Sequence, residues 1–427
     1  MLSNVPLFSL HEESKAQRTT LHLLAAFVFV LGAIICLAYG DSLLLGNYAQ
    51  MNNDDVKYIR SAEILLSHGM LTYHNPDQPT AFIMPGLPLL VAFFRSFLGR
   101  DEAVMAFRLF QCVLQAGSVY LIYLLSRQFF SRKVAMIAAV LAALYVPSYY
   151  ASAVVLTETT FTFLLLLSTL LTVGAVRTKK WSLYGIIGVL WAFMTYLKPQ
   201  SLLFPAILFI LWLVTRHSWR DMLRFGVLMA MIFVLLLSPW WIRNERTFGE
   251  PILLTESSGN PLLLGTFIYY GAPSEGFFVQ YPQYRDNLVS QSDRANQETA
   301  IRIIRYGFTH QPFKYLLWYL VEKPAEFFRK PFYWEPILGL SKMTVRVYHY
   351  LYVALGLIGV IHTFFSGKWK RLVPLYLVIG YFMGVYIPFV VFSRYGYPLM
   401  LMLMPLIAYG AHTGVSWLSR KRGSETV

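Results

Sequence analysis

Apolar runs recur along almost the whole chain, many of them near the roughly 20 residues that a helix needs to cross a bilayer, and short basic clusters punctuate them. This alternation narrows the fold more than any other feature. Composition agrees: 56% of the 427 residues are hydrophobic and 14% are charged, against about 25% charged in ordinary soluble domains. The expected fold class is an all-α polytopic membrane protein. A formal net charge of +14 would suggest nucleic acid in a soluble chain. Here much of it sits in short loops, where it reads as a topology signal and an attraction for anionic lipid, so no nucleic-acid partner is expected. Cys36 and Cys112 both fall in apolar runs and offer neither a disulfide framework nor a CxxC metal site.

Basic residues orient the spans. Glu13, Lys15 and Arg18 precede an apolar run from Leu21 to Tyr39. That run is long for a signal-peptide core and no Ala-x-Ala site follows it, so it reads as a retained first helix with a cytoplasmic N-terminus. Five clusters then fall between or after spans: Arg127/Arg132/Lys133, Arg177/Lys179/Lys180, Arg216/Arg220/Arg224, Lys368/Lys370/Arg371 and Arg420/Lys421/Arg422. Placing all five in the cytoplasm leaves ten crossings, near 21–39, 104–125, 134–149, 157–175, 182–197, 200–214, 225–241, 345–365, 372–391 and 396–418. The condition is that Phe82–Leu98, which holds Pro85, Pro88 and Arg95, lies along the interface. Two large segments, 40–103 and 242–344, then lie outside and look folded. The expected organisation is an N-terminal transmembrane module (1–241) with the first outer loop, a large outer loop (242–344), and C-terminal helices with a cytoplasmic tail (345–427). No 20–50-residue repeat is evident, which argues against a solenoid.

With this topology the unusual polar residues fall on one side. Asp54, Asp55, Glu158, Lys198, Arg243, Asn244, Arg394 and Tyr395 all stand at or just beyond outer helix ends. Each has a plain explanation: Asp54, Asp55 and Glu158 suit first-turn capping positions, and the cations can snorkel to the interface. Their convergence on one face suggests group transfer at the outer bilayer surface. A carboxylate can deprotonate an acceptor hydroxyl or amine, Arg can hold a phosphate with a bidentate fork, and paired acids can bind a divalent cation such as Mg2+ or Mn2+. No Walker A or post-strand GxGxxG appears, so a lipid-linked substrate fits better than a nucleotide. The rival reading is a transporter or flippase of a lipid-linked sugar. It calls for ionisable groups near the bilayer midplane in an inverted repeat, whereas here they sit at helix ends. A third is a non-catalytic scaffold with the outer loops as docking surfaces.

The run Asp54-Asp55-x-x-Tyr58, followed by Ala62-Glu63-x-Leu65 and Gly69, resembles the first outer loop of GT-C fold membrane glycosyltransferases. The likeness is greatest to bacterial family 39-type proteins, related to the protein O-mannosyltransferases and aminoarabinose transferases. Further matches follow in order: Met84-Pro85-Gly86-Leu87-Pro88-Leu89, Leu156-Thr157-Glu158-Thr159, Leu197-Lys198-Pro199, Pro239-Trp240-Trp241-Ile242-Arg243-Asn244 with Phe248-Gly249, Ser258-Gly259-Asn260 with Gly265, and Ser393-Arg394-Tyr395 with Pro398. The resemblance implies transfer of a sugar from a polyprenyl-phosphate donor to a lipid, glycan or protein acceptor, on the outer face of a bacterial cytoplasmic membrane. It makes Asp54 the catalytic acid of the first loop and Asp55 its support or a metal ligand. Glu158 becomes the second acidic partner, also a candidate metal ligand. Arg394, Lys198, Arg243, Tyr395 and Tyr58 become the donor-binding set. Where the aminoarabinose-transferase pattern carries a Lys before the proline-rich element, this chain has Met84.

Overall fold

In a computed structural model the described residues are 5–11, 13–290 and 292–424, the last eight by backbone alone. Among them every regular element is helical. The order is α1 (Lys15–Tyr39), α2 (Asp54–His68), α3 (Gly86–Arg95), α4 (Arg100–Phe129), α5 (Arg132–Leu144), α6 (Val146–Ala153), α7 (Glu158–Thr178), α8 (Trp181–Leu197), α9 (Pro205–Val214) and α10 (Trp219–Phe248). The large outer segment then gives α11 (Gly259–Gly265), α12 (Glu275–Gln280), α13 (Asp293–His310), α14 (Pro312–Leu317) and α15 (Lys323–Arg329). The chain closes with α16 (Lys342–Phe365), α17 (Val373–Tyr386) and α18 (Ser393–Ser424).

Among the described residues six helices are long and apolar enough to cross a membrane: α1, α4, α7, α10, α16 and α18. A seventh crossing exists if α5 and α6, bent by 52° across Tyr145, form one broken span. Each of the ten expected spans overlaps a helix, although Tyr145, residues 202–204 and residues 387–391 within them are not helical. Those at 182–197, 200–214 and 372–391, however, are the short apolar helices α8, α9 and α17. Prolines account for several of these breaks. Pro147 opens α6, Pro374 opens α17, and Pro199 pushes Lys198 into an extended conformation (φ −141°, ψ 108°) that stops α8. Between Pro85 and Ser96 the expected interfacial segment folds as the 10-residue α3, roughly 15 Å long, which is half a hydrocarbon core.

Serine caps set several of the starts. Ser14 and Gln17 exchange hydrogen bonds in a capping box at α1, and Ser131, Ser218 and Ser341 accept from the third backbone amide of α5, α10 and α16. Small residues set the closest packing. A Cβ on Gly359 would meet the Leu406 carbonyl at 2.0 Å, and one on Gly410 would meet that of Leu355 at 2.0 Å, so α16 and α18 touch backbone to backbone.

The basic loops gather at one end of the bundle. Arg177 donates to the Val5 carbonyl, Glu13 pairs with Arg127 and Arg132, and Lys179 pairs with Asp221. Lys368 donates to the hydroxyl of Tyr409, whose ring stacks on Phe130. The side chains of Arg420, Lys421 and Arg422 lie outside the described residues. At the other end the two large segments close over the polar residues described next.

Candidate active site

Asp54 and Asp55 are the first two residues of α2, with Asn53 as the cap accepting from the Asp54 amide at 2.8 Å. Consecutive helix residues point about 100° apart, so the pair must split. Asp55 turns inward and is fully buried. Its carboxylate accepts from the backbone amides of Leu45 (2.5 Å), Gly46 (3.1 Å) and Val56 (2.8 Å), pinning the loop before α2. Gly46 is required there, since a Cβ would meet Val56 at 2.6 Å. Burial raises the Asp55 carboxyl above its ordinary value of 3.8 despite those amides.

Asp54 turns the other way, into a cavity. Arg394 donates to its Oδ2 at 2.7 Å and the Tyr73 hydroxyl donates to its Oδ1 at 2.5 Å. Burial alone would raise this carboxyl, but the Arg394 charge, the Tyr73 hydroxyl and Lys57 together hold it below 3.8. Tyr58, one turn along α2, lies against Tyr73 with ring centroids 5.6 Å apart. Burial pushes both phenols well above 10, so both stay protonated donors.

Glu158 opens α7; the Thr157 hydroxyl makes no cap and donates to Glu158 Oε2 at 3.5 Å, leaving Oε1 for Lys198. The Lys198 ammonium donates to Glu158 Oε1 at 2.9 Å, and the two side chains are only 8% and 2% exposed. Lys198 is therefore buried rather than snorkelling. It reaches this place because Gly86 lets α3 sit on the end of α8, where a Cβ would meet the Tyr196 carbonyl at 2.4 Å. The Lys198 ammonium and the Arg394 guanidinium both lie 5.4 Å from the centroid of the Tyr395 ring, which stacks on Tyr386 at 4.6 Å. Two carboxylates, two cations and four phenols thus converge from α2, the loop carrying Tyr73, α7, the α8 terminus, α17 and α18.

They line a cavity of about 600 Å³. One wall is polar: Asp54, Tyr58, Tyr73, Glu158, Lys198 and Arg394. Leu202, Leu203, Val385, Phe389 and Val390 add apolar lining, with Tyr386 next to them and stacked on Tyr395. Met84 lines the cavity too, at the position where the aminoarabinose-transferase pattern has a Lys. Asp55 and Arg243 do not line it. Arg243 donates instead to the Thr80 carbonyl at 2.9 Å and to the Leu71 carbonyl at 3.5 Å, while lying over the Trp240 and Phe248 rings. It staples the 71–80 loop that carries Tyr73. Arg60 does the same from α2, donating to the Tyr73 carbonyl at 2.5 Å. Neither Tyr73 nor Arg60 carries a sequence signal, since their contacts join a helix face to an aperiodic loop. Tyr149 and Tyr150 of α6 are buried, whereas Tyr269 and Tyr270 are exposed.

The carboxylates expected as candidate metal ligands are each engaged by other groups in this structure. Asp54 and Glu158 each already face a cation, and Asp55 spends its oxygens on backbone amides. No three His, Cys, Asp or Glu side chains are grouped for a metal among the described residues.

Residues 77–242 match the family described as dolichyl-phosphate-mannose-protein mannosyltransferase, a region that includes Met84, Glu158 and Lys198 but not Asp54 or Arg394. No curated protein matches the chain significantly by sequence. Among solved structures, the oligosaccharyltransferase AglB from Archaeoglobus fulgidus, in complex with an inhibitory peptide and a dolichol-phosphate, aligns over 98% of this chain and 52% of its own, at 14% identity and a TM-score of 0.54. The apo form of the Archaeoglobus fulgidus oligosaccharyltransferase aligns over the same shares at 13% identity and a TM-score of 0.57. This chain spans about half the length of those proteins. Such identities speak for fold alone. The fold is that of the GT-C membrane glycosyltransferases, an all-α polytopic bundle.

Proposed function

We propose that this protein is a glycosyltransferase that moves a hexosyl or pentosyl group from a polyprenyl-phosphate donor to a lipid, glycan or protein acceptor. The site works at the extracytoplasmic face of a cytoplasmic membrane, with ten crossings and both termini inside. One observation carries this reading: carboxylates and two cations line the same cavity as a set of aliphatic and aromatic side chains, a mixed lining that suits a sugar phosphate on a lipid tail. The family matched by residues 77–242, and the dolichol-phosphate held by the archaeal neighbour, support the same donor class.

The chemistry follows from the side chains. The acceptor's oxygen or nitrogen attacks the anomeric carbon, the bond from that carbon to the phosphate oxygen breaks, and the polyprenyl phosphate leaves with the electron pair. Lys198 and Arg394 hold the phosphate and receive its growing charge. Asp54 takes the acceptor proton. In the free protein Asp54 is a weak base, because Arg394 stabilises its ionised form. A donor phosphate competes for Arg394. Once the guanidinium turns to phosphate, burial of Asp54 is less opposed and its basicity rises, while the Tyr73 hydroxyl keeps the carboxylate aimed. Donor binding thereby prepares the base.

The test is Asp54→Asn in membranes supplied with labelled polyprenyl-phosphate sugars, with mass spectrometry of lipid-linked sugars and surface glycans. Donor binding should persist while sugar transfer falls at least 100-fold. Undiminished transfer by that variant would overturn the assignment.

A further inference from the structure

A π-helical turn, Trp318–Glu322, fuses α14 and α15 into one continuous helical rod from Pro312 to Arg329. Both faces of this rod are apolar. The inner face carries Tyr315, Trp318, Tyr319 and Phe327, all buried. The outer face carries Phe313, Leu316, Leu317, Leu320 and Val321, spaced at i, i+3, i+4, i+7 and i+8. All five are exposed, Phe313 by 89% and Leu320 by 66%. Such a stripe is costly in water, and no described residue covers it.

Its surroundings identify what does. The C-terminal end of the rod is bonded to α16, a membrane-crossing helix: the His349 ring meets the Phe328 carbonyl at 2.9 Å, and the Tyr350 hydroxyl donates to the Arg329 carbonyl at 3.0 Å. Those contacts fall roughly two turns into α16, where its apolar stretch begins. Tyr269 and Tyr270, both exposed, meet the Trp318 ring edge-on, as aromatics do in a membrane-interface belt. Lys314 on the rod and Lys330 just past its end are exposed, where lipid phosphates would meet them, while Arg329 pairs with Glu326 on the rod itself.

We propose that the outer face of the Pro312–Arg329 rod is a docking surface for the bilayer, seated among the headgroups and first methylenes of the extracytoplasmic leaflet. Its inner face leans on the cavity. The Lys323 ammonium donates to the Ile387 carbonyl at 2.6 Å, just before Phe389 and Val390 in the apolar lining. Gly396, next to Arg394 and Tyr395, packs so closely on the rod that a Cβ would meet the Phe327 carbonyl at 1.9 Å. The lipid seat is thus one layer of side chains from the cavity lip. The proposal stands apart from the assigned reaction, since it needs no substrate.

Single nitroxide labels at Phe313→Cys, Leu320→Cys and Val321→Cys test it in the full chain in lipid nanodiscs, with Arg294→Cys as an exposed control on α13. The native Cys36 and Cys112 are buried and stay in place. Because the labelled side chains are exposed, their replacement removes no internal packing. Power saturation should show molecular oxygen reaching the labels at 313, 320 and 321 several-fold better, relative to a water-soluble nickel chelate, than at 294. A chelate accessibility equal to that at 294 places the face in water and overturns the proposal. Dipolar broadening between labels of two copies assigns the face to self-association and overturns it too.

Discussion

The Lys198–Glu158 pair offers the most discriminating perturbation, because stability and activity should part company there. The two charges are 2.9 Å apart and nearly sealed from solvent. Removing one partner of such a pair strands the other and typically costs on the order of 3–5 kcal/mol. Lys198 lines a cavity rather than solid core, so its loss leaves room to relax and Lys198→Met should sit at the lower end, about 3 kcal/mol. Glu158→Gln strands the ammonium and should cost a similar amount. Lys198→Met/Glu158→Gln leaves no charge unpaired, and replacing a buried pair by neutral groups is often close to neutral. Its cost should therefore fall short of the sum of the singles by about 2 kcal/mol or more, a coupling well above the ~0.5 kcal/mol scatter of independent sites.

The assay is a double-mutant cycle by denaturant titration in mixed micelles, followed by intrinsic tryptophan fluorescence, with sugar transfer measured on the same four preparations. The stabilised double variant should still transfer poorly, with a raised KM for the donor, because it lacks the cation for the phosphate. Additive costs would show that the pair does not interact as the structure has it. A double variant that regains transfer along with stability would reduce Lys198 to a structural role and remove it from the leaving-group clamp.

Other outcomes follow from the same geometry. If Arg394 exchanges Asp54 for the donor phosphate, the acid limb of kcat, which reports the donor complex, should lie at higher pH than that of kcat/KM for the donor, which reports the free protein; coincident limbs would refute the exchange. The sign is set by Asp54. Its folded pKa is depressed below 3.8, so its contribution to stability is present above that value and is lost as pH falls through the lower folded one. Arg394→Gln removes the depressing charge and should move the acid limb of kcat/KM upward. Tyr73→Phe deletes one donor to Asp54 and should lower kcat several-fold, with stability changed by only about 1 kcal/mol in thermal unfolding. Asp55→Ala strands three backbone amides and should cost roughly 2–4 kcal/mol, with activity falling only as far as the folded fraction falls. Burial pulls the Lys323 amine down to about 7, so stability should rise with pH between about 7 and 10.5, and that slope should vanish in Lys323→Met.

The class of fold, and four of the side chains that meet in the candidate cavity, were legible because both depend on local cost. A charge at the end of an apolar helix is rare, and the ordered motifs marked Asp54, Glu158, Lys198 and Arg394 before any contact was known. Arg394 meets Asp54 across 340 positions of sequence, which no local pattern announces. Roles that depend on orientation were less legible. Adjacent aspartates look alike in sequence, and only the Leu45 and Gly46 amides decide that Asp55 supports the loop while Asp54 faces the cavity. Arg243 shares a motif with cavity residues, yet a guanidinium beside Trp240 and Phe248 serves as well to staple a loop as to hold a phosphate. Hydropathy also misjudged the straightness of the spans. A side chain buried against protein and one buried against lipid are equally apolar, so α5 and α6 read as one crossing until the bend at Tyr145 separates them.

The short helices that blur the span count are also what build the cavity. The 30-residue α4 is roughly 45 Å long, whereas the 17-residue α8 covers about 25 Å and the 14-residue α17 about 21 Å. Lys198 stands just past the end of α8, Tyr386 at the end of α17, and Glu158 where α7 begins after the bent α6. Helices that end early expose backbone and charged ends beside the apolar flanks of longer neighbours, which is the mixed lining the cavity has. A lipid phosphate needs the same pairing, with charge at its head and hydrocarbon at its tail. Lengthening α8 by relieving its stop, with Pro199→Ala, should therefore harm the site more than the fold: Lys198 would lose the extended backbone that aims it at Glu158, while the apolar helix itself would continue undisturbed.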